Sequence, residues 1–209
     1  NEWAELGTKV LGTQEAPRGT DDAVRLRVDD ACWRLAIHPA EQDHIKYIGW
    51  SLKNETELQL YADRLTAEGV LIHDSDAALR KDRGVAGLQW FTDPYGNRHE
   101  LVWGQKHYPN TFMPSRPHSG FLTGDQGLGH AVLVVPEKEE ANDFYCRVMG
   151  FILSDAVMTD EIDIRFYHIN SRHHSLAVVY VPGKVGLNHL MLETNSIDDV
   201  GTALDLCKA

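Results

Sequence analysis

Cysteine is scarce. Cys32, Cys146 and Cys207 lie far apart in 209 residues, odd in number and without paired spacing, which points to a reduced, cytoplasmic compartment. Positive charge is also short: 20 Lys and Arg against 31 Asp and Glu leave a net charge of -11 at pH 7. That balance argues against a nucleic-acid partner, whose phosphate backbone requires clustered cations. No apolar run approaches the ~18 residues of a membrane-spanning helix, and no basic amphipathic helix is present, so no membrane partner is expected. No signal-peptide pattern is seen, although the chain opens at Asn1 without methionine. With 43% hydrophobic residues the chain can bury one or two cores. Its length fits two domains of about 100 residues each.

Histidine is what the sequence offers instead. Between Phe166 and Glu193, two strand-like runs flank a Pro182-Gly183 turn, and each opens with histidine. Alternation from His174 puts Leu176, Val178 and Tyr180 on one face, and from His189 it lines up Met191 and Glu193. A third run, Gly127-Leu-Gly-His130-Ala-Val-Leu-Val-Val135, repeats a glycine-rich lead into a strand that begins with histidine. Three such strands aimed into one concavity make a metal or acid-base site. His173 alternates to the other face, which predicts a supporting role. Isolated histidines such as His38, His44, His73, His107 and His118 fit surface or hydrogen-bonded positions.

The chain reads as a repeat. Trp3, Leu6, Val10 and Leu11 recur at helical spacing before Gly12, and Ala141, Phe144, Tyr145 and Val148 do so before Gly150. Trp33-Arg-Leu-Ala-Ile37 lies over His174-Ser-Leu-Ala-Val178, and Trp50, Leu58, Tyr61 and Leu65 match His189, Ile197, Val200 and Leu204 at offsets of 8, 11 and 15. Strands are predicted over 24–28, 32–37, 45–52, 70–72, 88–91 and 99–103, with a helix over 55–68. Four β-α-β-β-β units used in pairs are the economical reading. The expected fold class is α+β, with two domains of paired modules curling into open barrels. The N-terminal domain is expected at 1–104, a connector at 105–126 and the catalytic domain at 127–209. A final helix over 196–207 is expected to turn Ile197, Val200 and Leu204 inward. Tryptophan has no lone pair for a metal, so Trp33 and Trp50 make the first half a structural copy plugged by aromatic rings. Its closing strand carries Glu100, 50 residues after Trp50. Applied to His189, that offset falls beyond Ala209, and the first unit lacks an opening strand, so truncation at both ends is expected.

Gly-Leu-Gly-His130, Asn-Ser-Arg-His-His174-Ser-Leu-Ala, Leu-Asn-His189-Leu-Met-Leu-Glu and Phe91-Thr-Asp-Pro-Tyr-Gly-Asn-Arg-His-Glu-Leu-Val together resemble the type I extradiol ring-cleaving dioxygenases of the vicinal oxygen chelate superfamily. The likeness is nearest to the 2,3-dihydroxybiphenyl 1,2-dioxygenases and covers essentially the whole chain. It implies oxygen-dependent cleavage of an aryl-substituted or bicyclic catechol in aromatic catabolism, with Fe(II) as cofactor and catechol and O2 as small-molecule partners. It further implies that His130 and His189 are metal ligands and that a third ligand, a Glu, lies past residue 209. By the same likeness His174 is the acid-base residue, and Val132 and Phe166 line the substrate pocket. A homo-oligomer is expected.

The residue types suit that chemistry. Two histidines and a carboxylate hold iron(II) on one face and leave the other open to ligands, and a nearby histidine can move protons near neutral pH. Two other readings stay open. One is another metal-dependent reaction on this scaffold, such as glyoxalase-type isomerisation. The other is a metal-free binding or structural module. Glu193 is four strand residues from His189, roughly 13 Å away, which is too far to share a metal.

Overall fold

The computed structural model describes residues 2–19 and 21–208. In chain order the elements are α1 (Glu2–Glu5) running into a π-turn (Leu6–Val10), then β1 (Gln14–Ala16), β2 (Val24–Arg27) and β3 (Leu35–Ile37). Next come β4 (Ile48–Leu52), α2 (Glu55–Ala67), β5 (His73–Asp74), α3 (Ala77–Arg83), β6 (Gly87–Thr92) and β7 (Arg98–Trp103). There follow β8 (Gly129–Val135), α4 (Lys138–Asn142) with a second π-turn (Asp143–Val148), β9 (Ile152–Met158) and β10 (Asp163–His168). The chain continues through β11 (Leu176–Tyr180), β12 (Gly186–Leu192) and α5 (Ile197–Lys208). Among the described residues no helix is long and apolar enough to cross a membrane.

The fold is α+β, and its strands form three open sheets. Two of them share one topology. In β4-β7-β6-β5 and in β8-β11-β10-β9 the first strand of the module lies beside the last, parallel to it, and the others follow antiparallel. The third sheet, β1-β2-β3, is wholly antiparallel. The β-α-β-β-β repeat is therefore real. Its helices show it too. Each π-turn ends on a glycine of positive φ, Gly12 (+78°) and Gly150 (+76°), with matching bonds from Leu11 N to Leu6 O and from Met149 N to Phe144 O.

The chain divides into two compact units, one of Asn1–Gln42, Lys106–Gly129 and Leu192–Ala209, the other of Asp43–Gln105 and His130–Met191. Both cut across the halves 1–104 and 127–209. In the first unit the segment after Lys106 is pinned by hydrogen bonds rather than by regular structure. Cys32 N donates to Lys106 O, and Arg27 Nη2 donates to Asn110 O. Helix α5 turns its apolar stripe outward, against the expectation: Ile197 is 80% exposed, Val200 50% and Leu204 54%, while Asp199 is buried. The reason is electrostatic. Asp199 accepts hydrogen bonds from Ser119 N and Oγ and faces Arg116 and His118, so the polar side of the helix is the anchored one.

The second unit holds the larger core, with Phe91, Leu101, Leu133, Tyr145, Tyr167 and Leu176 fully enclosed. Helix α2 starts at Asn54, whose side chain accepts from Glu57 N at 2.9 Å, and buries Leu58, Ala62 and Leu65. The strand expected at 70–72 lies instead at β5, and α3, capped by Asp76 and by Gly84 in the left-handed region, was not foreseen. At the centre sits Asp93. Its carboxylate accepts from Asn97 N (2.8 Å), Asn97 Nδ2 (2.8 Å), Tyr95 N (2.9 Å) and Tyr145 Oη (2.7 Å). His99 Nδ1 accepts from Trp50 Nε1 at 2.9 Å, so its Nε2–H faces Asp93 Oδ2 at 3.3 Å.

Burial alone would raise the Asp93 pKa, but the hydrogen bonds and charge of His99, with those of Asn97 and Tyr145, hold it below 3.8. A carboxyl depressed on folding stabilises the fold above its unfolded value and loses that contribution as pH falls through its folded value. Asp93→Asn is expected to cost about 1–3 kcal/mol at neutral pH. The difference from wild type should narrow as pH falls below 3.8. Urea unfolding at neutral and acid pH measures both.

Candidate active site

Four neighbouring strands of one sheet, in the order β12-β8-β11-β10, supply the site. β12 carries His189, β8 carries His130 and Val132, the segment leading into β11 carries His174, and β10 carries Phe166. The two histidine-led runs after residue 173 do not pair across Pro182-Gly183 as a hairpin, because β8 lies between them. It pairs in parallel with β11, Ala131 opposite Leu176 and Val132 opposite Ala177. Alternation along β8 puts His130 and the buried Val132 on one face.

The imidazoles converge. His130 Nε2 and His189 Nε2 are 3.3 Å apart, and the His130 and His174 ring centres are 4.0 Å apart. Phe166 meets the His174 ring edge-on at 4.9 Å. His189 Nδ1 lies 2.7 Å from Asn188 Oδ1 and so bears the proton, leaving a lone pair on Nε2. Among the described residues, His130 Nδ1 is buried without a hydrogen-bond partner. Burial, then the neighbouring charges of His174, His189 and Arg172, push the His130 pKa down to about 4. His174 is lowered by burial first and then by His173, Arg172 and His189. At neutral pH His130 is therefore an uncharged nitrogen donor.

His173 differs from its expected position. Its Nδ1 is 2.9 Å from His174 Nδ1, and its ring centre is 6.1 Å from that of Phe166, so it stands with His174 rather than behind it. Strand alternation does not apply there, because β11 begins only at Leu176. The contact engages His174 through Nδ1 and leaves Nε2 outside it.

This donor set fits a small cation. Imidazole–metal bonds are about 2 Å, and two nitrogens 3.3 Å apart can both reach one ion. It is also incomplete. Among the described residues no group of three or more His, Cys, Asp or Glu could hold a metal.

Residues 127–209 match the family described as Glyoxalase/Bleomycin resistance protein/Dioxygenase superfamily, and residues 1–40 match Dihydroxybiphenyl dioxygenase BphC D1. The chain is 39% identical to the biphenyl-2,3-diol 1,2-dioxygenase of Paraburkholderia xenovorans (strain LB400), over 97% of this chain and 70% of that protein. It is 39% identical to the iron-dependent extradiol dioxygenase of Rhodococcus jostii (strain RHA1), over 97% of this chain and 71% of that one. The crystal structure of BphC, a halotolerant catechol dioxygenase, superposes with a TM-score of 0.96 at 48% identity, covering 99% of this chain and 70% of the other.

The module at residues 43–105 shows what the same topology does with tryptophan and glutamate, Trp50 and Glu100, on its parallel strand pair. Gly49 pairs with Glu100 and Trp50 with Leu101, so Trp50 and Glu100 face opposite sides of the sheet. Trp50 packs in the core, edge-on to Phe151 at 4.9 Å. Glu100, 1% exposed, is held by Arg83 Nε at 2.8 Å and Arg98 Nε at 3.0 Å, with Tyr47 stacked on Arg83. An arginine lock, rather than an aromatic plug, occupies this carboxylate. Trp50→His is expected to add no metal equivalent in a titration. In urea unfolding it should cost about 1–3 kcal/mol through lost ring packing and the lost bond to His99.

Proposed function

This chain belongs to the extradiol ring-cleaving dioxygenases of the vicinal oxygen chelate superfamily, and on that premise we propose that it cleaves an aromatic catechol carrying an aryl or fused-ring substituent, with Fe(II) as cofactor and O2 as co-substrate. The observation that carries the reading is the convergence of His130 Nε2 and His189 Nε2 at 3.3 Å beside the His174 ring. In this reading His130 and His189 hold the iron. The third ligand is a glutamate about 50 residues past His189, by the offset from Trp50 to Glu100. The whole enzyme keeps the repeat halves 1–104 and 127–209 joined by 105–126, and it works in the cytoplasm as a homo-oligomer.

Iron(II) held by His130 and His189 would supply the electron-transfer chemistry that activates the catechol and O2 toward each other. The protein does the rest. Val132 and Phe166 give the apolar walls against which the ring lies, and they keep water from the reacting face. Asn188 orients the His189 ring through Nδ1. His174 takes a proton from a catechol hydroxyl at Nε2 and returns it during cleavage. Its lowered pKa keeps the ring neutral and ready to accept.

In the iron-loaded enzyme, His130→Ala and His189→Ala are expected to lose iron and activity together. His174→Ala should keep its iron and bind catechol anaerobically, yet turn over roughly 10²–10⁴-fold more slowly. Iron per subunit, anaerobic titration and the rate after oxygen addition decide it. If His174→Ala loses its iron as fully as His189→Ala, the proton-transfer role is wrong. The 209-residue chain by itself, offering two imidazoles and no converging carboxylate among its described residues, is expected to hold iron(II) only weakly. Nanomolar affinity in a ferrous titration would overturn that.

A further inference from the structure

We propose that Ser154 and His168 are positioning residues for His174, acting through the backbone carbonyl of His173; the inference rests on the proton-transfer role given to His174 above. The device is a β-bulge. Along β9 and β10, Phe166 pairs with Asp155 and Tyr167 with Leu153, so Ser154 has no partner of its own in the ladder. A residue dropped from a ladder in this way has its side chain re-aimed. Ser154 Oγ lies 2.6 Å from His168 Nδ1 and 2.5 Å from His173 O.

The proton count orders these bonds. A carbonyl only accepts, and a hydroxyl has one proton to give. Ser154 therefore donates to His173 O and accepts from His168 Nδ1–H, which sets the His168 tautomer. The resulting chain, from His168 through Ser154 to the His173 carbonyl, grips the peptide that leads directly into His174. The segment from Ile169 to Ser175 lies outside both strands and needs such a grip. Its ends are tied by Ser175 N to Tyr167 O at 2.9 Å and by Asn170 Oδ1, which accepts from Arg172 N (2.9 Å) and Ser175 Oγ (3.2 Å). The Ser154 clamp acts at the middle, one residue from the imidazole that must move a proton.

The test compares Ser154→Ala, Ser154→Thr, His174→Ala and the Ser154→Ala/His174→Ala double variant in the iron-loaded enzyme. It reads kcat, KM, iron content and the imidazole 1H–15N signals. Ser154→Ala is expected to lower kcat by about 10–10²-fold, the scale of a misplaced catalytic group. KM and iron content should hold, because neither the ligands nor the pocket walls are touched. Ser154→Thr, which keeps the hydroxyl, should recover most of the rate. In the His174→Ala background the serine change should cost little, because coupled residues are non-additive. The His174 ring signals should move in Ser154→Ala while those of His73 stay.

An unchanged kcat with unmoved His174 signals overturns the proposal, as does an equal rate loss in the His174→Ala background. Should His174→Ala keep full kcat, the proton-transfer role fails instead, and the ring signals alone decide whether Ser154 sets the His174 position. If Ser154→Ala fails to fold, His168→Ala removes the other end of the same chain and is judged by the same outcomes.

Discussion

The parallel pairing of β8 with β11 is the constraint on which the site depends. Parallel neighbours cannot be joined by a tight turn, so the chain must leave the sheet and return through a crossover. Here that path runs through α4 and its π-turn, then β9 and β10. The crossover buries Ala141, Phe144, Tyr145 and Val148, which build the core. It also brings the strand that starts at Leu176 back alongside Ala131, so the residues just before β11 meet the start of β8. His130 and His174 stand 44 residues apart along the chain, yet share a ring contact of 4.0 Å because of this one pairing. With β12 on the other side of β8, His189 completes the cluster. Any change that forced β11 and β12 into a hairpin would displace β8, and His130 with it, from between them.

The repeat makes the chemistry a matter of register and side-chain choice rather than of fold. β4 and β7 are paired in parallel just as β8 and β11 are. In the earlier module, however, the carboxylate of Glu100 is already neutralised by Arg83 and Arg98. Breaking that buried pair to free the carboxylate would cost several kcal/mol, although Arg83 would keep its ion pair with Asp82. The position is closed to a cation by electrostatics as much as by space. The Asp93 network shows the same economy, since five donors converge on one carboxylate from Trp50-oriented His99, Tyr95, Asn97 and Tyr145.

The modules were legible because their signals are local and periodic. The stripe Ala141, Phe144, Tyr145, Val148 is buried as its spacing predicts, and Leu58 and Leu65 face the core from α2. The clustering of His130, His174 and His189 was legible too, although only His130 lies at the start of its strand: His174 precedes β11 and His189 lies inside β12. Three things were not. The stripe on α5 has the right period but the wrong face, because Asp199 has a set of hydrogen-bond and ionic partners that spacing cannot reveal. His173 was misplaced because alternation was carried past the end of a strand. The bulge that presents Ser154 depends on the pairing of β9 with β10, and no single strand encodes its partner's register.

The His130 environment argues for function over packing. In a chain of net charge -11, a histidine would ordinarily find an acid to pair with and rise in pKa. His130 does the reverse: burial and the nearby His174, His189 and Arg172 drive it down to about 4, and its Nδ1 is buried with no partner among the described residues. An unsatisfied buried polar atom costs about 1–3 kcal/mol. An apolar residue at this place would avoid that cost. What the arrangement gains is a lone pair that needs no deprotonation before it can bind a cation, 3.3 Å from a second nitrogen of the same kind. Strain of this sort persists where the surrounding fold overrides it and a ligand repays it.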